Sequence, residues 1–228
     1  NDSRVLGQVH YYTDDRSKTM NLFFDRLGVM KRFLTVLILI FTLPTPSQAD
    51  DIRDFQIEGM SIGDSLLDYA TKDEIEKNKY FFKEQKNKEY AVVNLKNINI
   101  NIKNSELYDK VTATFRTSDG RYKIKKVEGI IWFIDDINSC LKKRDEIIKE
   151  LSDLFKNNRK EDTGKKEHSA DKDKKSYTYS YDVYFGNIND WPLDLLSVSC
   201  FDWSKKMKYW DHLRLRIMTK EYIEWLKK

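Results

Sequence analysis

Glycine and proline are scarce in this chain, at 8 and 3 among 228 residues, and it holds only 2 cysteines and 3 histidines. Such a composition excludes a fibrous or disordered protein. The abundance of Lys, Ile, Asn and Asp is what AT-rich coding produces, and it carries no functional weight. An excess of one charge is missing too: Lys+Arg 41 against Asp+Glu 37 leaves +4, and so nearly balanced a surface argues against nucleic acid as a partner. Two familiar catalytic spacings are absent, for there is no phosphate loop and no Cys-x-x-Cys pair. His168 lies in a charged run and His212 beside Asp211, which is not metal-ligand spacing, so neither a metal nor a cofactor is expected. Neither cysteine has a histidine near it in a catalytic signature. Asp135-Asp136 reads as a helix cap and Asp171-x-Asp173 as part of a solvated loop.

What is present begins with a leader. Met30-Lys31-Arg32 precedes an apolar run from Phe33 to Leu43, then Pro44-Thr45-Pro46 and the small-residue end Ser47-Gln48-Ala49. A basic start, a short apolar centre and an A-x-A-like end make a secretory signal peptide; a membrane anchor needs about 20 apolar residues, and a buried helix would not carry these flanks. Residues 30–49 are therefore expected to be removed after Ala49, and 1–29 to be over-extended upstream sequence. Position 50 is Asp, so no lipid-bearing cysteine starts the mature chain, and no stable membrane span is expected after cleavage. Residues 50–228, within a chain 40% hydrophobic and 34% charged, suit a single exported domain, periplasmic or secreted.

Inside that domain, Ile137, Cys140, Leu141, Ile147, Ile148, Leu151, Leu154 and Phe155 recur at spacings of three, four and seven, which predicts one long amphipathic helix over 136–156. Ser61 or Asp64 opens a short helix, and Thr71 with Glu74 reads as the capping box of a second. Strands are expected on both sides of the long helix: one or two in 90–102, a hairpin turning at Asp119-Gly120, and a central strand ending at Ile130–Phe133. Residues 156–175 read as a solvated charged loop. Three further alternating segments follow around Tyr177–Phe185, Leu196–Cys200 and Leu213–Ile217, and Thr219 caps a short last helix. The expected fold is α+β: an antiparallel sheet with one long amphipathic helix packed on a face, short N-terminal helices and a short C-terminal helix.

Gly59-Met60-Ser61 followed by Asp64 and Leu67 resembles the opening of small exported helix-plus-sheet proteins such as outer-membrane assembly lipoproteins and β-lactamase-inhibitor-like modules. From the leader through Ile57–Tyr69, Cys140 and Ser199-Cys200-Phe201-Asp202-Trp203-Ser204, the chain is similar to a family of small exported proteins from streamlined marine alphaproteobacteria. The resemblance implies export and no particular activity.

An exported chain with two cysteines favours a Cys140–Cys200 disulfide, against the alternative of two buried thiols. Trp191, Trp203, Tyr209, Trp210, Tyr222 and Trp225 crowd the final third, with Arg214 and Arg216 on the strand face opposite Leu213 and Leu215. Trp203, Tyr209, Trp210, Arg214 and Arg216 either form a surface for an envelope protein, peptide or glycan, or are mostly packing. The leading expectation is a non-enzymatic binding or accessory module. The alternative is an envelope hydrolase whose cleft would gather His212, Asp211 and Asp202.

Overall fold

A computed structural model describes residues 51–81, 87–98 and 107–227. The leader, the upstream stretch, and Ile100 and Ile102 of the expected strand region lie outside the described residues.

Eight antiparallel strands form one sheet in the order β1-β2-β3-β4-β8-β7-β6-β5. They are β1 Lys79–Tyr80, β2 Tyr90–Asn94, β3 Lys110–Arg116, β4 Ile124–Trp132, β5 Arg159–Glu167, β6 Tyr177–Phe185, β7 Asp194–Asp202 and β8 His212–Met218. Among the described residues the α-helices are α1 Lys72–Asn78, α2 Ile137–Leu154 and α3 Lys220–Leu226. The α+β class and the antiparallel sheet are as expected.

Because side chains alternate across a strand, register decides which residues share a face. On one face Val127, Ile217, Leu196 and Val183 stand in one cross-strand row, Gly129, Leu215, Val198 and Tyr181 in the next, and Ile131, Leu213, Cys200 and Tyr179 in a third. Helix α2 lies against this apolar face, with Cys140 and Leu151 buried and Phe155 just past its end packing edge-on to Phe185 at 5.0 Å. Asp136 caps α2 by accepting the Ser139 N–H at 3.0 Å. The disulfide joins Cys140 in the first turn of α2 to Cys200 on β7. Arg144 extends the same attachment to the sheet edge, donating from its guanidinium to Asp162 of β5 at 2.6 Å. At Gly129 the backbone lies so close to the Tyr108 ring that an added Cβ would stand 2.5 Å from it, which only glycine permits.

Three local readings are corrected. Residues 159–167 are strand β5, paired along its whole length with β6, rather than a solvated loop. Its side chains are almost all charged and exposed because it is an edge strand, and charge on an edge discourages pairing with another chain. The β3–β4 connection is a seven-residue loop, 117–123, whose left-handed residue is Tyr122 at φ 51°, not a two-residue turn at Asp119-Gly120. The Asp119 carboxylate shapes it by accepting the Arg121 and Lys123 N–H groups at 3.0 and 3.3 Å. Near the front, Ser65 caps a single 3-10 turn, Leu66–Asp68, while Asp64 reaches back to accept the Ser61 N–H at 2.8 Å. Thr71 and Glu74 do cap each other at the start of α1.

Candidate binding face

The second face of the sheet carries the opposite set of side chains. Lys126 and Glu128 on β4, His212, Arg214 and Arg216 on β8, and Ser197, Ser199 and Phe201 on β7 point this way. One row reads Thr112, Glu128, Arg216, Ser197, Asp182; the next reads Lys110, Ile130, Arg214, Ser199, Ser180. These are interior strands of the sheet, so a polar face here is not an edge effect. Helix α3 covers its lower end, where Tyr222 and Trp225 pack on Tyr90 at 5.2 and 4.8 Å.

Glu128 is the electrostatic centre. Lys126 Nζ lies 3.3 Å and Arg214 Nε 3.6 Å from its Oε2. Burial alone would raise the Glu128 pKa, but Arg214, Lys126 and Arg216 together outweigh it and hold the carboxyl at about 2. Burial lowers the pKa of Lys126 and of Arg216, and Arg214 beside them adds repulsion. Asp182, in the same row as Arg216, is raised by burial against a hydrogen bond from Ser197. Hydroxyls continue the row: Ser199 Oγ donates to Ser180 Oγ at 2.8 Å and lies 3.3 Å from Ser197 Oγ.

Rings border the arginines. Phe201 stacks on His212 with centroids 4.6 Å apart and planes 11° from parallel. Trp203 sits between His168 at 4.3 Å and Tyr209 at 4.9 Å. Trp210, half exposed, meets Trp132 edge-on at 5.8 Å. The rings expected on one surface therefore divide: Trp203 and Tyr209 join Phe201, the ring under Arg214, and Trp210 joins Trp132 beside His212, whereas Tyr222 and Trp225 belong to the small core under α3, and Trp191 pairs with Tyr184. Arg216 is on the predicted face but largely sunk into it.

His212 fixes the chemistry this face can perform. Its Nδ1 lies 2.9 Å from the Trp210 carbonyl, and its Nε2 lies 3.1 Å from the Arg214 guanidinium. A guanidinium nitrogen can only donate, so Nε2 accepts, the proton sits on Nδ1, and the ring is neutral. Burial first, then Arg214, drives its pKa down to about 3. Asp202 and Asp211 do not converge with it. By strand alternation Asp202 falls with Cys200 and Asp211 with Leu213, on the helix side. There Asp211 accepts the Trp203 N–H at 2.7 Å. Burial, together with Asp202, Asp135 and Asp136, raises its pKa. The trio is split by the sheet. Among the described residues no three of His, Cys, Asp and Glu are grouped to hold a metal ion, and no helix is long and apolar enough to cross a membrane.

Several residues of this face escape a sequence reading. Asp171 is buried, and its carboxylate accepts the Ser176 and Ser204 hydroxyls at 2.7 and 2.9 Å, holding the 168–176 turn and therefore His168 against Trp203. Those hydrogen bonds, the Ser176 one foremost, hold its pKa at about 2. Lys126 and Glu128 alternate with Val127 and Gly129, a signal for a polar face that becomes readable only once β4 is known to be interior.

No protein-family model, no curated protein and no solved structure matches the chain.

Proposed function

We propose that the protein is an exported, soluble, non-enzymatic binding or accessory module of the cell envelope, whose site is the arginine and aromatic face of β7 and β8. The observation that carries this reading is the gathering of Arg214, Phe201, Trp203, Tyr209 and Trp210 on the sheet face that α2 leaves uncovered. Rings supply contact area at small entropic cost and arginines supply oriented donors, the combination that dominates recognition surfaces. The leader over 30–49 supports export, and the Cys140–Cys200 disulfide fits an oxidising compartment. In this reading the amphipathic helix and the short N-terminal turns are a rigid backing, and the partner is an envelope protein, peptide or glycan. The hydrolase reading has less support, since His212 has both ring nitrogens engaged and no carboxylate behind it.

The test is retention of an envelope component on immobilised protein, comparing wild type with Trp210→Ala. Trp210 is half exposed, so its loss leaves the fold intact. Reduced retention at an unchanged thermal midpoint supports the reading, and equal retention by both proteins contradicts it.

A further inference from the structure

We propose that the sheet face around Arg214 and Arg216 is a pocket for a small oxyanion, a carboxylate or phosphate group carried by the ligand. This names the chemistry of the binding face and rests on that reading.

Arg214 and Arg216 stand two residues apart on one face of β8, so their side chains leave the strand roughly 7 Å apart. Three cations, Lys126, Arg214 and Arg216, meet one ionised carboxylate, Glu128, whose Oε2 is already approached by Lys126 and Arg214. The remaining acid in the row, Asp182, accepts from the Ser197 hydroxyl and is attracted to Arg216, and its Oδ1 has no hydrogen-bond partner among the described residues. Three cations thus meet two acids in these rows, and positive charge is in excess whichever form Asp182 takes.

Arg216 supplies the second observation. Its Nε is buried and has no hydrogen-bond partner among the described residues. A buried donor left unmade is costly, and more so when charged, so such a group is retained where something accepts from it. Ser197 and Ser199 sit directly across from Arg216 and Arg214, and their hydroxyl protons go to Asp182 and Ser180, so they do not satisfy the arginine. A cation would be repelled here, and an apolar group would leave the Arg216 Nε–H unmade. An oxyanion takes two N–H groups from a guanidinium fork, a geometry that spherical chloride does not match.

The test follows the Nε–Hε resonances of Arg214 and Arg216 in the ¹⁵N-labelled, disulfide-bonded protein, with Arg216→Lys assigning the second. Inorganic phosphate, acetate and chloride are titrated separately at constant ionic strength and pH. The expected result is a saturable shift with phosphate or acetate and none with chloride, and the anion that saturates at lower concentration identifies the source. Arg216→Gln should weaken that anion's binding by at least about tenfold, since a hydrogen bond to a charged group is lost. Signals that move no further with phosphate or acetate than with chloride overturn the pocket, as does wild-type affinity in Arg216→Gln. Saturation together with a failed Trp210→Ala comparison leaves the pocket standing and removes the wider reading; the reverse removes the pocket alone.

Discussion

The Arg214 guanidinium lies over the Phe201 ring, 4.5 Å from its centroid, across the β7–β8 seam. The same guanidinium reaches His212 at 3.1 Å and Glu128 at 3.6 Å, so a single side chain links the rings to the charged row. A cation on a ring face in a half-buried setting is worth about 1 kcal/mol. Its larger effect is positional, since it holds the guanidinium between Phe201, His212 and Glu128.

His212 should remain neutral through the physiological range, with its proton on Nδ1. Its folded pKa of about 3 lies below the ordinary 6.5, so the unfolded chain binds the proton first as pH falls. Stability from this residue is therefore full above about pH 6.5 and is lost progressively as pH falls toward 3. Long-range ¹H–¹⁵N spectra should report the Nδ1–H tautomer and no titration between pH 5 and 8. A midpoint near 6.5 would contradict the buried arrangement.

Glu128 should be costly to neutralise. Glu128→Gln leaves Lys126, Arg214 and Arg216 without their carboxylate, a loss of about 3 kcal/mol by analogy with other broken buried pairs. Because its folded pKa of about 2 lies below 4.5, the carboxylate's contribution is complete above about pH 4.5 and disappears as pH falls through 2. Denaturant melts at pH 7 and pH 3 check both points: the gap between variant and wild type should narrow at the lower pH.

The disulfide closes a separation of 60 residues, for which the chain-entropy relation gives about 4 kcal/mol of stabilisation. Unreduced protein should therefore show no reactive thiol, and the Cys140→Ser, Cys200→Ser double variant should unfold at markedly lower denaturant. Labelling of either cysteine without reductant contradicts the bridge.

Gly129→Ala should destabilise by about 1–3 kcal/mol, because the new methyl meets the Tyr108 ring and the ring must move. The same substitution at Gly120, where nothing lies within 4 Å, should be nearly silent. Thermal melts of the two variants side by side provide the check.

Apolar periodicity made most of the sheet legible in the sequence: the alternations in β6, β7 and β8 mark real strands, and Thr219 caps α3 by accepting from Tyr222. Charge concealed β5. An exposed edge strand has no apolar side chain to announce it, and only its backbone pairing with Tyr177–Phe185 defines it. The Asp-Gly pair misled for a local reason: the Asp119 carboxylate builds a longer turn and passes the left-handed position to Tyr122. For the site, Arg214 and Arg216 were recognisable from alternation alone. Glu128, Asp182 and the serines were not, since their meeting depends on four strands falling into register.

Site-specific photo-crosslinking from position 210 in intact envelopes tests the binding face most directly, with position 67 as control. Trp210 and Leu67 are comparably exposed, at 50% and 42%, but only Trp210 belongs to the arginine and aromatic face. The account predicts a discrete crosslinked adduct from position 210, competed by excess wild-type protein, and none from position 67. Identical patterns from the two positions, or no adduct from 210, would contradict it.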